Sequence, residues 1–181
     1  MKVQIIQEAG YEAALLGLGL SYGKTSEVEL CALQKEHEEL RMNGYNSTID
    51  SLHTTAKSLV FKQNGHNKLL ESIMVWIDVT ASMAYWKQAD TYRISTKQSA
   101  STMHTLMKKK LDGNDFELPE SRSARLDLFQ HVEKINEYIE AGDFDSVNAM
   151  LPQSFLQRRI WCMSYKTLQN IISQRQTHKL K

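Results

Sequence analysis

The chain is sparing with the features that would classify it at a glance. It has only two cysteines in 181 residues, Cys31 and Cys162, far apart and without the regular spacing of a disulfide framework or a zinc site. Both are therefore expected as reduced, packed thiols, which suits a cytoplasmic protein. There is no surplus of charge: 22 Lys+Arg stand against 21 Asp+Glu, a net charge of +1. No global field exists to gather nucleic acid or a membrane surface, so any anion must be met by a local site. No long apolar run occurs either. The N-terminal "MKVQIIQEAGYEAALLGLGLSYG" is broken by glycines, has a glutamate before its apolar part and lacks a small-residue cleavage pattern, so neither a signal peptide nor a membrane span is expected. Repeats and low-complexity tracts are missing as well.

What is present is an ordinary globular composition, 41% hydrophobic, of a length that suits one domain over 1–181. "KVQII" reads as a short strand and "GYEAALLGLGLSYG" as a helix capped at Gly23. "TSEVELCALQKEHEELRMNG" predicts a helix stopping at Gly44, and "IDSLHTTAKSLVFKQNG" a third stopping at Gly65. "SIMVWIDVTA" alternates β-branched and aromatic residues with smaller or polar ones, so the sheet should centre there. "SMAYWKQADTYR" predicts a short helix. The charged stretch at about 108–121, "KKKLDGNDFELPES", holds Gly113 and Pro119 and is the one plausible internal linker. Beyond it come a helix to Gly142, a shorter helix, an alternating strand in "SFLQRRIWCM" and a basic helix in "SYKTLQNIISQRQTHKLK". Few strands and many helices in mixed order make the class α+β, with a small mixed sheet packed against several helices.

Three stretches carry possible chemistry. "GLGLSYGKT" imitates the end of a phosphate-binding loop, but the first glycine of that motif should fall at position 18, which is Leu18, so a glycine-capped helix is the better reading. The basic C-terminal helix suggests RNA or a membrane surface, or simply a solvated face; Lys166 and Arg175, nine residues apart, lie within roughly 180° of one another and need not share a side. "YRISTKQSASTMHTL", from Tyr92 to Leu106, sets one arginine ahead of a row of hydroxyl and amide side chains and then His104. On composition alone it reads either as an exposed edge strand or as a ligand-holding segment.

From Gly65 onward the order "GHNKLLES…VTASMAYWKQADTYRISTKQSASTMH" resembles the flavin-dependent thymidylate synthases. In that family a glycine-histidine pair precedes a glutamate, a strand, a turn with alanine, a glutamine, and the signature R-H-R-x-x-S-x-N-E-x-S-x-R-Y. Gly65, His66, Glu71, Ala81 and Gln88 fall in matching places, and the signature runs through Thr91, Tyr92, Arg93, Thr96, Gln98, Ser99, Ser101, Met103 and His104. "LPQSFLQRRIWCMSYKTLQNIISQR" is similar to the family's Leu-Pro turn, strand and helix ending in a substrate arginine, and "LSYGK" to its first helix and serine. The chain departs from the pattern where Thr91 and Tyr92 replace Arg-His, Ser99 replaces glutamate, and Met103 and Asn148 replace arginines; the family's alanine-glutamine segment beyond Arg175 is not found.

The resemblance implies a short, divergent, phage-type enzyme that methylates or hydroxymethylates deoxyuridine monophosphate (dUMP). FAD would be the cofactor, with NADPH and methylenetetrahydrofolate as co-substrates. It implies that Gln88, Ser99, Ser101 and Arg175 meet the nucleotide, with Ser101 at the reacting base. His66, Arg93, Gln98 and Lys166 would meet FAD, and the chain would form a homotetramer without membrane or nucleic-acid partners. A homologue that binds nucleotide but has lost the reaction, and a basic-helix RNA-binding or assembly protein, stand as the alternatives.

Overall fold

The computed structural model describes residues 1–27, 46–62 and 65–176. The helix expected over 25–44 lies, with Cys31 and Gly44, almost wholly outside the described residues, as does the end of the basic C-terminal segment. The described chain runs β1 (Lys2–Ala9), α1 (Tyr11–Leu20), α2 (Asn46–Leu59), α3 (Leu69–Ser72), β2 (Met74–Ser82), α4 (Met83–Ala89), β3 (Thr96–Ser99), α5 (Thr102–Thr105), α6 (Arg122–Glu140), α7 (Phe144–Met150), β4 (Leu156–Ser164) and α8 (Tyr165–Arg175). The class is α+β. Four antiparallel strands form one sheet in the order β1-β2-β4-β3.

β2 is an inner strand, as its alternation predicts: Val75, Ile77, Val79 and Ala81 are buried while Met74, Trp76, Asp78 and Thr80 are half-exposed. Each of the larger buried side chains contributes about 1.5–3 kcal/mol by leaving water, which fixes the register, since a one-residue slip would expose all of them. The polar "TKQS" of β3 takes the edge, where one face needs no apolar partner. β1 is the other edge. Seven of its eight residues are exposed, Val3, Ile5 and Ile6 at 57%, 60% and 53%.

The chain divides into two compact units, one of Met1–Gln4 with Ile77–Trp161, the other of Ile5–Trp76 with the chain from Cys162 onward. In the second unit α1 contributes Ala14, Leu15 and Leu16, α2 Leu52 and Ala56, and the α3 region Leu69, Leu70 and Ile73 to one apolar cluster. The turn into α1 is made by Gly10 at φ 85°, and a Cβ there would stand 2.4 Å from the Ser72 carbonyl oxygen. Only glycine meets both demands.

In the first unit α6 and α7 close on Leu106, Leu111, Phe116, Val132, Ile135 and Val147. Ser121 caps α6 and Asp143 caps α7, each accepting the backbone N–H three residues on. The charged stretch expected as a linker is a loop, but it lies inside this unit and is anchored there. Asn136 reads Leu111 through both its backbone N–H (2.8 Å) and its carbonyl (2.9 Å). Phe116 pairs its strand-like backbone with Phe155 and is 3% exposed. Composition hid this because two buried apolar residues, Leu111 and Phe116, suffice to pin a mostly polar loop.

Candidate functional site

The first unit carries the stretch that the sequence singles out. α4 starts where Ser82 accepts the Tyr85 N–H and where the Met83 and Ala84 amides bond the Phe155 and Gln153 carbonyls, both at 3.0 Å. It buries Trp86 and Ala89 and leaves Gln88 exposed. The helix closes as Thr91 returns its amide and hydroxyl to the Gln88 carbonyl. Arg93 is exposed in the turn that follows, Gln98 and Ser99 are exposed on β3, and Ser101 is half-buried at the start of α5. The Ala100 amide bonds the Arg158 carbonyl at 2.9 Å, which ties this segment to β4. Met103 is 68% exposed and Asn148 is exposed on α7, so neither position where the resembling family has an arginine is occupied by core packing.

Beneath this segment lies a cluster that the sequence reading missed. The Lys97 ammonium stands 4.8 Å from the Trp161 ring centre, donates to the Tyr92 carbonyl (3.3 Å) and the Ser95 hydroxyl (3.2 Å), and is 3.7 Å from Asp90. Its side chain is only 10% exposed. Arg159 reaches the same Asp90 through Nη1 at 3.0 and 3.2 Å, donates to Gln157 at 2.9 Å and stacks its guanidinium 4.5 Å from the Trp86 ring centre. Burial pushes the Lys97 pKa down; Asp90 opposes that and the Arg159 charge adds to it. Two cations thus share one carboxylate, and the excess of positive charge lies at the root of the turn that presents Arg93. Trp161 is 2% exposed, and its indole N–H has no hydrogen-bond partner among the described residues. A signal existed: alternation along β4 places Arg159 and Trp161 on one face.

The second unit carries His66, Lys166 and Arg175. Gly65 turns at φ 85° and leaves His66 exposed at the wall of a cleft of about 400 Å³, with Ala13, Gly17, Ser21, Tyr22 and Lys68 around it. Ser21, the serine of "LSYGK", therefore shares a cleft with His66. The neighbouring Asn67 is 4% exposed and accepts the Lys166 ammonium at 2.7 Å, while its amide donates to the Val60 carbonyl and to Gln169. Gln169 also donates to Val60, at 2.8 Å. Lys166 is thus held beside the His66 turn, with this one hydrogen bond from its ammonium to Asn67 among the described residues. Arg175 is half-buried in the last turn of α8, about 13 Å along the axis from Lys166 at 1.5 Å per residue. These two cations are not brought together on the helix.

The look-alike phosphate loop is a helix end. Gly23 adopts φ 63°, its amide returns to Leu20, and Lys24 donates to Ser51 at 3.1 Å. Cys162 is a free thiol, half-buried, its pKa raised by burial. Among the described residues no group of His, Cys, Asp or Glu could hold a metal ion, and no helix is long and apolar enough to cross a membrane.

No family's sequence profile matches the chain, and no curated protein matches it by sequence. Solved structures do. A crystal structure of thymidylate synthase X from Helicobacter pylori with FAD and dUMP superposes with a TM-score of 0.72 at 13% identity, covering 99% of this chain and 86% of the other. A second crystal structure of the flavin-dependent enzyme from that organism, complexed with FAD and dUMP, gives 0.71 at 14% identity with the same coverage. At such identity the likeness concerns the fold, and the fold of this chain is that of the flavin-dependent thymidylate synthases.

Proposed function

We propose that the protein acts on dUMP as a flavin-dependent methylating or hydroxymethylating enzyme, using FAD and a folate one-carbon donor. The observation that carries the reading is the fold match over 99% of the chain, together with exposed polar residues at positions matching the family signature. The residues present fit a flavin dinucleotide. Arg93 rises from a turn rooted in excess positive charge, and His66 and Lys68 line a cleft within the usual size of small-ligand sites. FAD, when bound, would supply the redox chemistry, with NADPH and methylenetetrahydrofolate as co-substrates.

The chain's own part is to bind and orient. Arg93 and Lys166 would give charge-assisted hydrogen bonds to the cofactor's phosphates, Gln98 and His66 would meet it with neutral donors and ring contact, and the Lys166 ammonium is pre-aimed by Asn67. Gln88 and Ser99 would hydrogen-bond the nucleotide, Ser101 would stand at its reacting base, and Arg175 would neutralise its phosphate. Assembly as a homotetramer belongs to the same reading.

A second reading, a homologue that binds nucleotide without reacting it, is favoured by Met103 and Asn148, which offer no charge where the family has arginine. Absorbance spectra of the purified protein with and without added FAD, followed by dUMP titration, separate the two. A flavin band that shifts on dUMP addition supports the enzyme. Colourless protein that binds dUMP supports the second reading, and salt-sensitive RNA retention with neither ligand bound would discard both.

A further inference from the structure

Residues 92–95 carry Arg93 yet belong to no helix or strand. Their order comes from beneath. Tyr92, Ser95 and Lys97 are half-buried, while Arg93 and Ile94 are exposed. The Tyr92 and Trp161 ring centres are 6.5 Å apart and the Lys97 ammonium is 4.8 Å from the same indole, so both flanks of the turn rest on a ring that is 2% exposed. From that floor the ammonium donates to the Tyr92 carbonyl and the Ser95 hydroxyl, and Ser95 closes the triangle by donating to the same carbonyl at 2.8 Å. The Lys97 side chain is almost withdrawn from solvent. Its donors therefore serve the turn and not a ligand arriving from outside.

We propose that Lys97 is a positioning residue, a staple that joins Tyr92 to Ser95 across the base of the turn and fixes the direction in which Arg93 is presented. A lysine suits this place because its stem covers the indole while its head reaches acceptors two and five residues back along the chain. A buried ammonium is unfavourable unless its donors are met, so the closed turn is strongly preferred to an open one. An arginine on a loose turn would lose its freedom only on binding, whereas a turn already fixed spares the ligand that loss. All the members of the staple lie within the first unit. The role of Arg93 toward FAD rests on the flavin reading above; the staple itself requires no ligand.

Two measurements test it. Lys97→Met leaves Asp90 paired with Arg159, so no buried carboxylate is orphaned and the variant should fold. In native-state trypsin digestion followed by mass spectrometry, cutting of the Arg93–Ile94 bond should be about tenfold faster in Lys97→Met than in the wild type, the effect of losing hydrogen bonds to a charged group. Ser95→Ala should give a smaller gain. Gly142→Ala, destabilised elsewhere in the same unit, should cut like the wild type. Cutting of Lys97→Met at the wild-type rate, or equal acceleration by Gly142→Ala, would overturn the staple. Should Lys97→Met fail to fold, Ser95→Ala decides by the same criterion. The second measurement is FAD titration of the wild type, Lys97→Met, Arg93→Ala and the double variant. Lys97→Met should weaken FAD about fivefold or more while Arg93 is present and change nothing in the Arg93→Ala background, because a staple acts only through the residue it aims. An equal loss in both backgrounds would show that Lys97 acts merely as a nearby charge and would overturn the positioning role. A wild type that binds no FAD would discard the flavin reading, and the trypsin result then decides the staple alone.

Discussion

Lys97 lies across the Trp161 ring, its ammonium 4.8 Å from the ring centre, in a pocket where its side chain is only 10% exposed. Its pKa is lowered from 10.5, chiefly by burial. In the interval between that lowered value and 10.5 the unfolded chain holds a proton that the folded chain has released, so folding stability rises with pH through this interval and is flat below it. Lys97→Met keeps the stem against Trp161 and removes the titration. Urea unfolding at neutral pH and at several steps toward pH 10.5 should show the difference between the two proteins moving in favour of the wild type as pH rises. A difference that stays constant would mean that Lys97 is not desolvated.

Gly10 and Gly142 both adopt positive φ, 85° and 73°, but only Gly10 faces an obstruction, the Ser72 carbonyl at 2.4 Å from a built Cβ. Gly142→Ala should cost about 1–2 kcal/mol for the left-handed backbone alone. Gly10→Ala should cost more, since Ser72 must also shift. Thermal melts of the two variants compare them directly, and equal losses would count against the close approach.

Phe116→Ala should cost about 3–5 kcal/mol, the range for emptying a buried aromatic site, because the ring is 3% exposed and packs edge-on to Phe155 at 5.8 Å. Leu118→Ala, two residues along and 41% exposed, should stay within about 0.5 kcal/mol. Denaturant titration that finds the two alike would return the 108–121 stretch to the status of a linker.

Arg93→Ala should weaken FAD binding far more than Lys24→Ala, since Lys24 is spent on Ser51 at a helix end. Loss of one charge-assisted contact is worth about 1.5–3 kcal/mol, or on the order of tenfold to a hundredfold in affinity. Calorimetric titration giving equal effects would revive the phosphate-loop reading of "GLGLSYGKT".

Met103→Arg combined with Asn148→Arg should tighten dUMP binding, and only while Arg175 is intact, because cations enclosing one dianion do not act independently. Titrations of the wild type, the double variant and the same variant with Arg175→Ala give the comparison. Tight binding by the wild type would show that the site has compensated for the missing arginines by other means.

The elements were legible wherever one face is buried and the other is not. The alternation of "SIMVWIDVTA" became β2 with Val75, Ile77 and Val79 inside, and Gly142 ended α6 where a stop was expected. Even the polar composition of "TKQS" pointed to an edge strand. The Lys97–Asp90–Arg159 cluster was not legible in the same way, because its members come from α4's end, β3 and β4, and nothing local in the sequence marks a lysine for burial. Asn67 was overlooked for a similar reason: an asparagine beside a histidine reads as a turn residue until Lys166, far along the chain, is found bonded to it.

The Thr25 hydroxyl donates to the Leu16 carbonyl at 2.7 Å, and a Cβ added to Gly19 would stand 2.1 Å from the Thr25 Oγ1. Positions 19 and 25 therefore compete for one small volume and cannot drift independently. Homologues should record this as covariation: glycine at 19 wherever a hydroxyl residue bonds the helix end from 25, and a larger residue at 19 only where 25 has become smaller or has turned away. The glycine at 19 is then the footprint of a hydroxyl group.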